Sequence, residues 1–171
     1  MTAQFREIIT IEGEKYGMAS EPLDPLIVRE FSGHREGFPD GYPTLYPSCT
    51  ACWRGYIGHW LIDDNQLWLV DVRGSNEVDD GKIYVEVDQE QLKLLDWRKT
   101  FFNYQQGNIK AVWFSAQLVV EMGELIKYVH MAYYSEYEKY MIIDIKDGDV
   151  VKKEILTNEE YQQVRKKFTD Q

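Results

Sequence analysis

The sequence predicts a mainly β (α+β) fold: a curved antiparallel sheet or two-sheet sandwich with a C-terminal helix and an irregular, proline-rich N-terminal segment. All five prolines lie between residues 22 and 47, where they fix φ and remove backbone donors. Further along, short stretches alternate between apolar and polar residues and are separated by turn residues. Strands and helices do not alternate, so a parallel sheet is not expected.

The 171 residues predict a single domain, residues 1–171. Its parts are an irregular Pro/Gly-rich segment at 13–50, a β core at 51–156 and a C-terminal helix at 158–168. Thr157 and Glu160 form a capping-box pattern that starts this helix. The predicted strands are 53–62, 66–72, 82–88, 112–120, 125–134, 140–146 and 150–155.

Turns and one further helix connect these strands. The predicted turns are 63–65, 107–108, a reversal at Gly123, and the two-residue hairpin loop Asp147-Gly148. Asp88, followed three residues later by Gln91, predicts a short helix through Trp97. In the strand 82–88 we expect Ile83, Val85 and Val87 to point inward, and Lys82, Tyr84, Glu86 and Asp88 to point outward.

The net charge of −10 is unevenly distributed. Residues 60–96 hold ten acids and three bases, which is seven of the ten net negative charges. Such charge argues against binding a phosphate backbone directly and favours a basic partner. We define the acidic face as the predicted partner-binding residues Glu77, Asp79, Asp80, Tyr84, Glu86, Asp88 and Glu90. A second interpretation stays open, in which these acids form a solvated surface that only keeps the protein soluble.

No pattern predicts a catalytic residue, a metal site or a cofactor. Cys49 and Cys52 form one Cys-x-x-Cys without the second pair of ligands that a structural zinc needs. No glycine-rich phosphate loop is present. The chain lacks a membrane-spanning apolar run and a secretory signal, so we expect a cytoplasmic protein that does not bind membranes.

A candidate pocket offers an alternative function, a small-ligand-binding protein or a hydrolase. Its residues would be Arg54, Trp60, Tyr128, His130, Tyr134 and Glu136. The structural interpretation of the same residues is a buried cation–π cluster around Arg54 and a histidine within an aromatic layer. A third hypothesis is a structural protein whose exposed aromatic residues form a homodimer surface.

Two segments carry a resemblance to a known family. Residues 52–60 read CWRGYIGHW, and residues 128–138 read YVHMAYYSEYE. Together with residues 67–70 and 113–125, they resemble an uncharacterised bacterial family with W-R-G-Y…W and Y-V-H-M-x-Y-x-S-x-Y-E motifs. The match spans residues 50–72 and 111–148, and it departs at Ala116 and Ala132, where the family has glycine.

The resemblance implies an immunity protein of a contact-dependent growth inhibition system that antagonises an EndoU-type RNase toxin. Such a protein would be non-catalytic and monomeric alone, and it would bind the basic nuclease domain of its toxin 1:1. The acidic face would then compete with RNA phosphates for the lysines and arginines of the toxin's active site.

Overall fold

The computed structural model describes residues 2–26, 44–45, 49–75, 80–88 and 91–169. Eleven strands and two complete helices lie in these ranges, and residues 24–26 are also helical. The strands are β1 (Glu7–Ile11), β2 (Glu14–Met18), β3 (Thr44–Leu45), β4 (Ile57–Asp63), β5 (Gln66–Arg73), β6 (Tyr84–Asp88), β7 (Gln91–Leu94), β8 (Ile109–Lys110), β9 (Gln117–Lys127), β10 (Glu136–Lys146) and β11 (Asp149–Thr157). The helices are α1 (Trp97–Phe102) and α2 (Asn158–Thr169).

Seven strands close into a barrel in the order β11-β10-β9-β2-β1-β4-β5. Closure depends on a short contact between β5 and β11, where Gln66 lies opposite Asp149. Backbone hydrogen bonds of 2.8 Å reinforce it, from Leu67 N–H to the Gly148 carbonyl and from Val150 N–H to the Asn65 carbonyl. β8 extends the sheet beside β5, and β3, β6 and β7 form a separate small sheet. The predicted mainly β fold with a C-terminal helix is therefore confirmed.

The N-terminal strands depart from the predicted organisation. β2 and β3 lie inside the segment 13–50 that was predicted to be irregular, and β1 pairs in parallel with β4. Glu12 and Gly13 join β1 to β2 with positive φ angles of 52° and 82°, the conformation of a tight two-residue hairpin loop. The prediction was wrong here because β2 buries few apolar side chains, so its periodicity is weak.

The barrel interior is filled by alternate residues of its strands. In β1, Glu7, Ile9 and Ile11 are buried and the residues between them are partly exposed. A register shift in the β4–β5 pair leaves Val70 as an extra residue, so Val72 is buried as Leu67 and Leu69 are. The buried barrel residues include Ile9, Ile11, Met18, Trp60, Leu67, Leu69, Leu118, Val120, Ile143 and Ile145.

The long hairpin β9–β10 differs from the two strands predicted at 112–120 and 125–134. The chain does not reverse at Gly123, which lies within β9 at φ 74°, near a register shift in the pairing with β10. β9 continues to Lys127, and residues 128–135 connect the two strands instead of forming one. Val112 is exposed and lies before β9, so the predicted strand 112–120 begins only at Gln117.

Two other boundaries differ from the predictions. β4 begins at Ile57, because Gly55 adopts a φ of 76° and residues 53–55 form a turn. The residues after Asp88 form strand β7, and helix α1 starts only after Asp96, whose carboxylate accepts a hydrogen bond from Lys99 N–H. Leu92 therefore belongs to a strand and not to the predicted helix.

The hairpin turns and the C-terminal cap match their predictions. Asp64 and Asn65 have φ angles of 49° and 54°, and Asp147 and Gly148 have 50° and 81°. Thr157 N–H donates to Glu160 Oε2 at 2.8 Å, and Glu160 N–H donates to Thr157 Oγ1 at 3.3 Å. This reciprocal cap starts α2, which packs on β10 and β11. In the described part of the chain, neither helix has the length and apolar character needed to cross a bilayer.

Candidate functional site

A buried ion pair lies at one end of the barrel. The Arg54 guanidinium contacts the Glu7 carboxylate, with Nε 2.9 Å and Nη2 2.8 Å from Oε1. The Glu7 side chain is 0% exposed and the Arg54 side chain 4%. We define the Arg54 cluster as Glu7, Glu21, Arg54, Tyr56, Trp60 and Tyr133. Burying two charges costs several kcal/mol each, so their remaining hydrogen bonds decide whether this arrangement is stable.

Glu7 is held inside the barrel by β1 alternation and by a glycine on the next strand. Gly58 of β4 faces the carboxylate so closely that a Cβ there would lie 2.0 Å from Glu7 Oε2. Two residues along β4, Trp60 Nε1–H donates to the same oxygen at 2.8 Å. The missing side chain of Gly58 therefore leaves space for the Glu7 carboxylate, and the indole of Trp60 is its second partner.

Tyr133 brings the β9–β10 connection into the cluster. Its hydroxyl accepts from Arg54 Nη1 at 3.0 Å and donates to Glu21 Oε1 at 2.6 Å. The Arg6 guanidinium lies 5.3 Å from the centre of the Tyr133 ring, and Arg6 itself pairs with Glu121 of β9 at 2.9 Å. Five parts of the chain distant in sequence are thereby joined at one end of the barrel.

The electrostatics of the cluster follow from burial and pairing. Burial raises the pKa of the Glu7 carboxyl, and Arg54 together with N–H donors from Gly58 and Trp60 offsets part of that rise. Burial lowers the pKa of Arg54, but Glu7, Tyr133 and Glu21 raise it by more, so the guanidinium stays charged. Burial also raises the pKa of Tyr56 and of Tyr133, which keeps both phenols neutral.

Two polar atoms of the cluster have no hydrogen bond. The Tyr56 hydroxyl is buried without a partner, and its ring lies 5.4 Å from the Arg54 guanidinium carbon. Arg54 Nη2 is 2.8 Å from Glu7 Oε1 but is not aligned for a hydrogen bond, so that contact is purely ionic. The cluster holds the barrel end closed, and its ionised side chains are already committed to one another.

The candidate-pocket residues take part in four separate sets of contacts. Arg54 and Trp60 both bind Glu7. Arg54 also makes the cation–π contact that the structural interpretation predicted, with the ring of Tyr56. His130 is exposed, and its Nδ1 is hydrogen-bonded to the Tyr128 hydroxyl at 2.9 Å. The two others have partners elsewhere: Tyr134 lies 4.1 Å from the Arg165 guanidinium, and Glu136 pairs with Lys127 at 3.4 Å.

Four residues of the acidic face lie in the described part of the chain, in β6 or in the turn before it. Asp80 is exposed in a turn with φ 50°, and Tyr84 is half-buried at the start of β6. Glu86 and Asp88 occupy β6 and pair in register with Leu92 and Gln91 of β7. Glu77, Asp79 and Glu90 lie outside the described residues.

Exposed leucines adjoin the acidic face, a feature that sequence reasoning missed. Leu92 and Leu94 of β7 are 49% and 57% exposed, and Leu94 pairs with Tyr84. Alternate residues of a strand share a face, so the two leucines lie side by side. The period-two pattern of residues 91–94 was the available signal, but the capping pattern at Asp88 predicted a helix there instead.

A second acidic surface was also missed. The loops β1–β2, β4–β5 and β10–β11 meet at the barrel end opposite the Arg54 cluster, because β1 and β4 run in parallel and β5 contacts β11. We define the barrel rim as the exposed residues Glu12, Asp63, Asp64 and Asp147. Only the parallel pairing brings Glu12 beside Asp63, and that pairing has no local sequence signal.

The two cysteines are reduced and lie in a turn before β4. Cys52 N–H donates to the Cys49 carbonyl at 3.0 Å, and Cys52 is fully buried. Burial raises the pKa of the Cys52 thiol, which disfavours the reactive thiolate. Within the described ranges, no three His, Cys, Asp or Glu side chains are grouped to hold a metal ion.

Comparisons with protein-family models, with curated proteins and with solved structures found no match to this chain. The resemblance to immunity proteins therefore stays a prediction from the two motif segments. In the structure, those segments supply Arg54, Gly58, Trp60 and Tyr133, which build the Arg54 cluster.

Proposed function

We propose that this protein is a cytoplasmic, non-catalytic immunity protein that binds and blocks the basic active site of a cognate RNase toxin. The observation that carries the proposal is the concentration of negative charge, with seven of the ten net charges in residues 60–96. Carboxylates presented together attract the same lysines and arginines that a nuclease uses to hold RNA phosphates. Competition for those cations is sufficient for inhibition and needs no catalytic group here.

The small sheet supports this proposal with a combination typical of interfaces. Leu92 and Leu94 expose apolar surface on β7, and Tyr84 lies opposite Leu94 on β6. Interface cores are apolar and aromatic, and charged residues surround them and speed association. A partner that carries a basic groove beside an apolar ridge fits this face by both charge and hydrophobicity.

The Arg54 cluster supports the non-catalytic part of the proposal. A catalytic base or nucleophile must reach its substrate, whereas Glu7 is fully buried and bound by Arg54 and Trp60. His130 is exposed, but its hydrogen-bond partner is the Tyr128 hydroxyl and not a carboxylate that would orient it as a base.

The test is a titration of RNA cleavage by the nuclease domain of the cognate toxin, which we expect an adjacent reading frame to encode. We expect cleavage to fall linearly and to stop at one equivalent of this protein, with a 1:1 complex in sedimentation equilibrium and a monomer in its absence. Excess RNA should slow formation of the complex, because both ligands need the same groove. Undiminished cleavage at several equivalents, or a complex that still binds RNA, would refute the proposal.

A further inference from the structure

A second candidate site lies on the outer surface of the barrel, and its lining is basic where the acidic face is acidic. A cavity of about 220 Å³ opens where β1, β2, β4 and β5 lie side by side. Its basic residues are Lys15 of β2, His59 of β4 and Arg73 of β5, and Ile8 and Val70 contribute apolar lining. Three basic side chains around one cavity are unexpected on a chain whose net charge is −10.

The single acid of the cavity is already satisfied. Asp71 Oδ1 accepts from Val72 N–H at 2.9 Å, and Asp71 Oδ2 accepts from Arg73 Nε at 2.5 Å. That leaves the two terminal nitrogens of Arg73, which have no hydrogen bond to a described residue although the guanidinium pairs with Asp71. The Lys15 ammonium and the His59 ring have neither a hydrogen bond nor an ion pair to a described residue. Asp71, the one carboxylate in the cavity lining, is therefore engaged, and the lining presents cationic donors beside it.

The charge balance indicates the class of ligand. Lys15, Arg73 and Asp71 together carry one positive charge, and protonation of His59 would raise the total to two. Uncompensated positive charges repel one another, and a bound anion removes that cost while filling the free donors. The cavity volume of about 220 Å³ is below the range of pockets that bind drug-sized ligands and is ample for a phosphate group.

We propose that this cavity binds a small dianionic oxyanion, namely a phosphate group, through Arg73, Lys15 and a protonated His59. Arg73 of β5 offers a planar pair of donors, and Lys15 of β2 acts as a point charge from the far side of β1 and β4. The inference is independent of the proposed immunity function, since the cavity lies on β1, β2, β4 and β5 and the acidic face lies around β6.

We expect His59 to take up a proton when the anion binds in the cavity. Burial lowers the pKa of His59, and Arg73 and Lys15 lower it further while Asp71 raises it, so the free protein holds the ring neutral at pH 7.5. β1 contributes only Ile8 and Thr10 to the cavity lining, and neither residue titrates. A dianion next to the ring favours its protonated form, so affinity should rise as the pH falls.

The test is isothermal titration calorimetry of the full chain with sulfate, which stays dianionic between pH 5.5 and 7.5, and with inorganic phosphate. We expect saturable 1:1 binding of both, tighter at pH 5.5 for sulfate. Arg73→Gln and Lys15→Gln should each weaken binding about tenfold, the loss expected for one charge-assisted hydrogen bond. His59→Gln should remove the pH dependence of sulfate binding while leaving the urea midpoint close to wild type.

The controls separate a site from general ion effects. Lys152→Gln removes an exposed lysine of β11 that pairs with Glu154, and it should leave sulfate affinity unchanged. Sodium chloride at matched ionic strength should give no saturable heat. Equal weakening by Lys152→Gln, or affinity unaffected by Arg73→Gln and Lys15→Gln, would show an adventitious ion only and overturn the proposal. Binding of acetate as tight as sulfate would overturn the assignment of a phosphate group.

Discussion

At the scale of single residues, the stability of the barrel end depends on the ion pair of Arg54 with Glu7, which the sequence did not predict. Arg54 was a candidate on its own motif, but its anion Glu7 lies 47 residues earlier in a strand that had not been predicted. A buried acid in a strand has no signature distinct from a surface acid. Only the pairing of β1 with β4 shows that Glu7 points inward toward Gly58 and Trp60.

We expect removal of either charge to cost more than removal of both. Arg54→Met leaves the Glu7 carboxylate buried without its cation and should lower the free energy of unfolding by about 3–5 kcal/mol. The double variant Glu7→Leu/Arg54→Met removes both charges and should be more stable than Arg54→Met alone. Urea unfolding of the variants measures both effects. A loss below about 1 kcal/mol for Arg54→Met, as for an exposed pair, would contradict the described burial.

His59 gives a prediction for the pH dependence of stability. Its pKa is lowered in the folded state, chiefly by burial, so the unfolded chain binds more protons as the pH falls below about 6.5. The contribution of His59 to stability is therefore complete above pH 6.5 and declines as the pH falls toward its folded-state pKa. Urea unfolding at pH 7.5 and 5.5, in a buffer without phosphate or sulfate, should show a smaller decline for His59→Gln than for wild type. An identical decline in both proteins would assign the effect to other groups.

At the scale of elements, turns and caps were predictable and strand partners were not. Asp147-Gly148 and the Thr157–Glu160 cap are short-range signals, and both formed as expected. Gly123 misled the prediction because a glycine at positive φ serves a bulge inside a strand as well as a turn between strands. The helix predicted after Asp88 failed because Asp96, eight residues later, is the residue that caps α1.

Two strand glycines give a matched test of the Arg54 cluster. A Cβ at Gly58 would lie 2.0 Å from Glu7 Oε2 and 2.5 Å from Trp60 Nε1, whereas at Gly17 its closest contact would be Arg6 Cγ at 3.3 Å. Gly58→Ala should therefore destabilise the fold by about 1–3 kcal/mol, the usual cost of overpacking a core. Gly17→Ala should cost less, because the flexible Arg6 side chain can shift. Thermal unfolding of both variants measures the difference, and equal losses would show that Gly58 does not make room for Glu7.

At the scale of the whole molecule, the alternation of apolar and polar residues between turns predicted a mainly β fold, but the order in which the strands pair is known only from the structure. Barrel closure depends on Gln66 and Asp149, which are 83 residues apart and carry no signal of contact. The same closure, together with the parallel pairing of β1 and β4, brings the loops that carry the barrel-rim acids to one end of the barrel. Besides the acidic face that was predicted from the sequence, the described residues therefore include a second acidic surface, the barrel rim among the hairpin loops.

The two surfaces provide variants with an equal change of charge. The face variant is Asp79→Asn/Asp80→Asn/Glu86→Gln/Asp88→Asn, and the rim variant is Glu12→Gln/Asp63→Asn/Asp64→Asn/Asp147→Asn. Each removes four negative charges, so a long-range effect of net charge slows both variants alike. A docking surface slows only the variant that alters it, because steering depends on charges close to the contact.

The decisive measurement is the stopped-flow association rate constant of these two variants and the wild type with the nuclease domain of the proposed cognate toxin, as a function of salt. We expect the face variant to associate at least about tenfold more slowly at low salt, with a flatter salt dependence, and the rim variant to stay close to wild type. Wild-type kinetics in the face variant, or equal slowing in both variants, would contradict the acidic face as the surface that blocks the nuclease.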